Sequence, residues 1–285
     1  MLSRAGRCFG AGLVLAFALA LLLGGCGSGK PAPFAYDRTA SLEFRDLGAV
    51  NHGYPIVIHD VSYASPKGGR VTAYLVVPPG KGPFPAVIYA HGSGGSRRDL
   101  LVPAIWMAAR GAVALTVDDP FARDPRLEQA SDARQRAALV QDVVDLRRAV
   151  DLLRSRRYVD PTRIAFVGLS LGARIGAVLA GSETRIRAFD LMSGRGASLD
   201  AAELDELRAI RRSHAHFLFQ LGRRDTVVPR AQLVALSSAA PKPKTVRWYD
   251  SGHLLNMAAL HDQLGWLSRE LGLDGPVVRG ALAGP

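Results

Sequence analysis

The sequence predicts an α/β fold with a mostly parallel central sheet and helices on both of its faces. Two hydrophobicity patterns carry that expectation. The segments "IVIHDVSYAS" and "RVTAYLVVP" alternate apolar and polar residues on either side of the turn-rich "PKGG", the signature of an antiparallel β-hairpin. From "FPAVIYAHG" onward, short and nearly continuous apolar runs alternate with segments of helical period, as parallel strands buried on both faces and joined through helices must do. A third observation places a candidate reactive group in this frame. "GLSLG" sets one serine between two glycines where an apolar run meets a helical segment.

Taken in order after the hairpin, strands are expected over "FPAVIYAHG", "GAVALTVDDP", "VDPTRIAFVG", "IRAFDLMSG", "HFLFQLG" and "TVRWYDSG". Between the first two, "LLVPAIWMAARG" has helical spacing and a terminal glycine, as a crossover helix should. Leu139, Val143, Leu146, Val150 and Leu153 recur every three or four residues and mark a long amphipathic helix. "LGARIGAVLAG" is a helix of small residues able to pack closely on a sheet. "LDAAELDELRAI", "RAQLVALSSAA" and "NMAALHDQLGWLSREL" are the remaining expected helices. No repeat or internal break divides residues 49–273, which are expected to form one domain, and residues 274–285 have no period and are expected to be a loose tail. Only about 20 residues, mostly one helix, separate "LMSG" from "HFLFQLG", so no large lid is expected and the cleft should be open.

The N-terminus has a different character. Arg4 and Arg7 precede an apolar run from Cys8 to Leu23, shorter than the roughly 20 apolar residues of a membrane-spanning helix and typical of a secretory leader. Its ending, Leu23-Gly24-Gly25-Cys26, resembles the bacterial lipobox. That resemblance implies a leader over 1–25 and acylation of Cys26, with palmitate or similar chains. Residues 26–48, including "GSGKPAPF", would then tether the protein to a membrane of the bacterial cell envelope, at its periplasmic or outer face. Removing the leader removes Cys8, one of two cysteines, which leaves no thiol for a disulfide beside a lipidated Cys26. The net charge is +11, and losing Arg4 and Arg7 from a leader without Asp or Glu leaves +9. Basic residues are spread in ones and pairs with no aromatic-interleaved stripe, which argues against nucleic-acid binding and for attraction to anionic headgroups.

Three motifs carry chemistry. Ser170 stands between the strand "RIAFVG" and the helix "LGARIGAVLAG", where a tight elbow needs Gly168 and Gly172 and sets helix N–H groups beside the serine. In a chain with 30 glycines such a pentapeptide alone is weak. Context strengthens it: "GRRDTVVP" puts Asp225 after one strand and "YDSGHLLN" puts His253 after another. A serine hydroxyl is too weak an acid to attack a carbonyl unaided, so His253 would take its proton and Asp225 would orient the imidazole. Asp250, three residues before His253, is the rival acid, but its direction is set by the strand pleat. Each residue has an ordinary alternative: Ser170 as a helix cap, Asp225 as a turn residue, His253 as a loop histidine. Their joint order, each at a strand end, favours chemistry. His214 and His216 have no acidic or cysteine partner at metal-ligand spacing, so no metal is expected. Asp118 and Asp119 end a strand and are expected either at the site mouth or as loop caps.

The hairpin, "YAHGSGG", "VDPTRIAFVGLSLGA", "GRRDTVVP" and "YDSGHLLN" together resemble the α/β-hydrolase superfamily, most closely its dienelactone-hydrolase-like and prolyl-oligopeptidase-like esterase branches, over about Ile56 to Leu271. Where dienelactone hydrolase itself has a cysteine nucleophile, this chain has Ser170. The resemblance implies a serine hydrolase that cleaves small or soluble carboxylic esters through an acyl-enzyme, without a cofactor. It places half of an oxyanion hole in "HGSGG", with the backbone N–H groups of Ser93 and Leu171 as donors, Gly92 allowing close approach and His91 bracing the loop. A peptidase or acyltransferase of the same fold, and an envelope lipoprotein whose catalysis is lost, are the alternatives.

Overall fold

The sheet begins with a strand that the hydrophobicity pattern hides. In the computed structural model, which describes residues 32–51, 56–196 and 202–273, β1 (Arg45–Ala49) pairs antiparallel with β2 (Val57–Ala64). Its residues are mostly exposed, so it has no alternation to betray it. β2 and β3 (Arg70–Val77) form the expected hairpin, running from Val57 opposite Val77 to Ala64 opposite Arg70. The other strands are β4 (Phe84–Ala90), β5 (Val113–Val117), β6 (Val159–Leu169), β7 (Ala188–Met192), β8 (His216–Gly222) and β9 (Lys244–Tyr249). Among the described residues they make a nine-stranded sheet of order β1-β2-β3-β5-β4-β6-β7-β8-β9. β3 meets β5 antiparallel, and from β5 to β9 every pairing is parallel.

The helices are α1 (Leu101–Ala108), α2 (Pro120–Arg123), α3 (Asp132–Arg154), α4 (Leu171–Ala180), α5 (Glu206–Ile210), α6 (Arg230–Ala239) and α7 (Met257–Leu271). Successive strand residues face opposite sides of the sheet, so each central strand feeds two cores. Ile88, Ile164 and Phe166 pack with Val143 and Leu146 of α3 and Ile175 of α4, whereas Val87, Tyr89 and Val167 pack with Met107 of α1 and Leu267 of α7. Phe166, Phe189 and Phe217 stand side by side on β6, β7 and β8, with ring centroids 5.6 and 5.7 Å apart. Cross-strand aromatic contacts of this kind resist slippage of register, and a slip here would move the three strand ends out of line. The α/β-hydrolase fold expected from the sequence is the fold observed, among the described residues, with the antiparallel strands at one edge and helices on both faces.

Two expectations are corrected, and one segment is new. Residues 33–48, assigned to a tether over 26–48, are a docked arm. Tyr36 Oη donates to Asp151 at 2.8 Å, Arg147 Nη1 donates to the Phe34 carbonyl at 2.5 Å, and Phe34, Leu42 and Phe44 pack on the core. Arg148, 2% exposed, donates to the carbonyls of Arg38 and Ala40. The arm folds because its partners lie on α3, a long-range contact that local composition does not reveal. The helix expected over 199–210 is, within the described residues, a 3₁₀ turn (Ala202–Leu204) followed by the short α5. Asp205 interrupts it by capping α5, its side chain accepting from Arg208 N. Between β5 and α3, finally, an unanticipated segment holds α2 and a 3₁₀ turn (Pro125–Gln129). The leader (1–25), Cys26 and the tail (274–285) lie outside the described residues. No helix among the described residues is long and apolar enough to cross a membrane.

Candidate active site

The carboxyl ends of the parallel strands deliver the chemistry-bearing side chains to one edge: His91 after β4, Ser170 after β6, Ser193 after β7, Asp225 after β8 and His253 after β9. Ser170 has φ 53° and ψ −107°, a left-handed backbone that costs a non-glycine residue about 1–3 kcal/mol and persists only where its surroundings enforce it. The enforcement is backbone packed on backbone. A Cβ on Gly168 would lie 2.4 Å from the Gly172 carbonyl oxygen, and one on Gly172 would lie 2.2 Å from that of Ala90. Ser170 N donates to the Met192 carbonyl at 2.9 Å and Gly172 N to that of His91 at 3.1 Å. The glycine requirement inferred from the sequence thus has a steric cause.

Gly92 brings the β4 loop against the elbow, and a Cβ there would sit 3.4 Å from that of Ser170. The N–H groups of Ser93 and Leu171 have no hydrogen-bond partner among the described residues, and both residues border a cavity of about 340 Å³. His91 is buried, with Nδ1 2.8 Å from the Gly92 carbonyl oxygen and Nε2 accepting from Asp119 N at 3.2 Å. Both ring nitrogens are therefore spent on backbone, and the ring braces the loop. The Asp119 carboxylate lies 3.9 Å from Nε2, and its Oδ1 accepts from Ala122 N at 2.7 Å as the cap of α2. Asp118 accepts from Arg97 N at 2.7 Å and from Thr72 Oγ1 at 2.6 Å, so both aspartates tie loops together.

His253 Nδ1 lies 2.8 Å from Asp225 Oδ2. The Asp225 side chain is 1% exposed, and its other oxygen accepts from Val227 N and Val228 N at 2.9 Å each. Asp250 is 76% exposed and pairs with Arg224 at 3.1 Å. The two loops interlock: Arg224 N donates to the Ser251 carbonyl at 2.9 Å, and a Cβ on Gly222 would meet the Gly252 oxygen at 2.2 Å. Ser170 Oγ makes no hydrogen bond among the described residues. The tip of β7 links it to the histidine, since Met192 accepts from Ser170 N while Ser193 Oγ donates to the His253 carbonyl at 2.8 Å.

The dienelactone hydrolase family model matches residues 71–254, more than half of the chain and the whole of this strand-end constellation. The chain belongs to that family. Its relatives include the esterase FrsA of Enterobacter sp. (strain 638), 30% identical over 130 residues, which are 44% of this chain and 29% of that esterase. FrsA of Salmonella paratyphi B is 32% identical over the same shares. The chain thus spans less than a third of the length of these relatives. Among solved structures, an acetyl xylan esterase from Paenibacillus sp. R4 superposes with a TM-score of 0.69 at 21% identity, covering 81% of this chain and 89% of that one. Acetyl xylan esterase 1 from Thermoanaerobacterium sp. JW/SL YS485 gives 0.68 at 16% identity, with coverage of 85% and 92%. These likenesses show the fold.

Two parts of this family member's site escaped the sequence. Ser193 has φ 50° and is fully buried, but a serine after a strand carries no distinctive signal. Gln135 and Leu139 of the cavity wall lie on the expected α3, whereas Phe121 and Glu128 come from the unanticipated segment after β5. "DDP" was its signal, an Asp cap followed by proline at the first helical position. His214 and His216 take no part, and His216 Nδ1 pairs instead with Glu270 at 2.8 Å. Among the described residues no three His, Cys, Asp or Glu side chains are grouped to hold a metal.

Proposed function

We propose that this member of the dienelactone hydrolase family hydrolyses carboxylic esters through an acyl-enzyme on Ser170. The 2.8 Å contact between His253 and a buried, doubly amide-bonded Asp225 carries this reading, since it leaves Nε2 as the free basic nitrogen. In the first half-reaction Nε2 takes the Ser170 hydroxyl proton as Oγ attacks the ester carbonyl carbon. The π electron pair moves to oxygen, where the N–H groups of Ser93 and Leu171 meet the developing charge; one such donor is worth roughly 3–4 kcal/mol. Collapse breaks the bond to the alcohol oxygen, which leaves with the proton from His253. Water then attacks the acyl-enzyme, giving its proton to His253, and the released Ser170 Oγ recovers it. Asp225 fixes the Nδ1–H tautomer and stabilises the imidazolium in both halves.

The esterase names of the relatives support the reaction class, and the 340 Å³ cavity beside the two free N–H groups supports a small acyl or alcohol part. A peptidase or acyltransferase would share the first half-reaction and differ in leaving group or acceptor. A fluorophosphonate probe is expected to label the protein at Ser170, with Ser170→Ala unlabelled and inactive on short-chain esters. Labelling that survives the substitution overturns the assignment, and a protein neither labelled nor active is a silent lipoprotein.

We further propose that Cys26 carries the lipid that holds the protein to the bacterial envelope, at the periplasmic or outer face. "LLGGC" after the apolar run supports this. With the docked arm beginning near Phe34, the eight intervening steps could span at most about 28 Å, so the domain would stay close to the bilayer. Detergent-phase partitioning of wild type and Cys26→Ser tests it: equal partitioning removes the anchor.

A further inference from the structure

Arg174 is the basic side chain on the wall of the cavity that Ser93 and Leu171 border. It sits one helical turn beyond Ser170, its amide donating to the Ser170 carbonyl at 3.1 Å. Helical side chains lean toward the N-terminus of their helix, which for Arg174 is the elbow end of α4. Nε donates to Glu206 at 2.8 Å, while Nη2 is buried without a partner and Nη1 makes no hydrogen bond among the described residues. The side chain keeps 14% of its exposure and borders the cavity, whereas the Glu206 side chain keeps 1%.

Burial pushes the Glu206 carboxyl up, and Arg195, pulled down first by burial and then by Arg174, adds a second positive charge nearby. Among the described residues, two guanidinium groups face one buried carboxylate near the cavity. Glu128 also borders the cavity, but on an exposed 3₁₀ turn, where water and salt screen its charge. A part-buried guanidinium with unused donors is costly to maintain unless an anionic acceptor meets it, and carboxylates match its fork geometry.

We propose that Arg174 is a specificity residue that receives a carboxylate carried on the acyl part of the ester, so that the protein prefers monoesters of short dicarboxylic acids to neutral esters of the same size. The reaction itself rests on the ester-hydrolase reading above, whereas the carboxylate contact does not require turnover. The experiment therefore separates binding from hydrolysis. In full-length Ser170→Ala protein, calorimetric titration is expected to show monomethyl succinate binding about tenfold tighter than methyl butyrate, as a charge-assisted contact should. Adding Arg174→Gln should abolish the difference, and Arg174→Lys should keep part of it. Equal binding of the two esters, or a preference that survives Arg174→Gln, overturns the proposal. If Arg174→Gln does not fold, the Ser170→Ala protein alone decides: the preference must shrink as salt is raised, and a salt-independent one overturns the proposal. Preferential binding without turnover by the Ser170 protein would overturn the hydrolase reading and leave this one standing; turnover without preference would do the reverse.

Discussion

A carboxylate that holds an imidazole must itself be held. Asp225 meets that condition with two backbone amides on one oxygen and His253 on the other, so its plane has one orientation. Replacing it with Asn keeps the volume but offers an amide where the imidazole N–H needs an acceptor, a change worth as much as roughly 10⁴ in kcat in the serine-protease case. Asp225→Asn is expected to lower kcat on esters by at least about a hundredfold, whereas Asp250→Asn, altering an exposed pair with Arg224, should lose less than about tenfold. Ester turnover and thermal melts of both variants decide, and the reverse ranking would move the acid to Asp250. Ser193 acts one step further out. Its hydroxyl holds the His253 carbonyl from a fully buried position, so Ser193→Ala leaves a carbonyl unpaired at a cost of about 1–3 kcal/mol. The expected result is a kcat about tenfold lower at little-changed KM, with a lower melting temperature.

At the scale of elements, the β6–α4 elbow is held by backbone packed on backbone. Gly172→Ala would drive a methyl to 2.2 Å from the Ala90 oxygen, forcing α4 away from β4 and displacing Ser170. A displacement near 1 Å can cost about a hundredfold in rate. The fluorophosphonate labelling rate of Gly172→Ala should fall by that order while the circular dichroism spectrum keeps its shape; an unchanged rate would mean that the elbow tolerates the methyl. This junction was legible in the sequence because its cause is local: glycines flanking a serine between an apolar run and a small-residue helix. The central strands were legible because burial on both faces makes them continuously apolar. β1 was not, since its residues are mostly exposed. Nor was the part of the cavity wall that Phe121 and Glu128 form, because α2 and the Pro125–Gln129 turn are too short for any period. The docked arm depends on Arg147 and Arg148, more than a hundred positions away, a contact that no local pattern encodes.

Across the whole molecule, the sheet that aligns the strand ends of the candidate site also buries a carboxyl that it cannot solvate. Asp190 lies in β7 with no exposed surface, Oδ2 accepting from Gln263 Nε2 at 2.7 Å and Oδ1 without a partner among the described residues. Burial pushes its carboxyl up from 3.8 to about 8, against the downward pull of the Gln263 amide. Below pH 3.8 folded and unfolded chains both hold this proton, so the group adds no pH-dependent penalty. Between 3.8 and 8 the unfolded chain releases the proton while the folded chain keeps it, so stability falls as pH rises, by about 1.4 kcal/mol per unit at most, and the loss levels off above 8. Asp160, held down to about 2 by Thr162 and Arg163, acts below this window. The buried Asp119, Asp142, Asp145 and Glu206 are also pushed up, so the share of Asp190 must be read as a difference between proteins. Asp190→Asn removes the titration and keeps an oxygen for Gln263. Urea unfolding at pH 5, 6.5 and 8 is therefore expected to show the variant gaining on the wild type at each step and exceeding its stability at pH 8. A constant difference across the three pH values would mean that Asp190 is already ionised in the folded protein, its charge compensated within the β7 core.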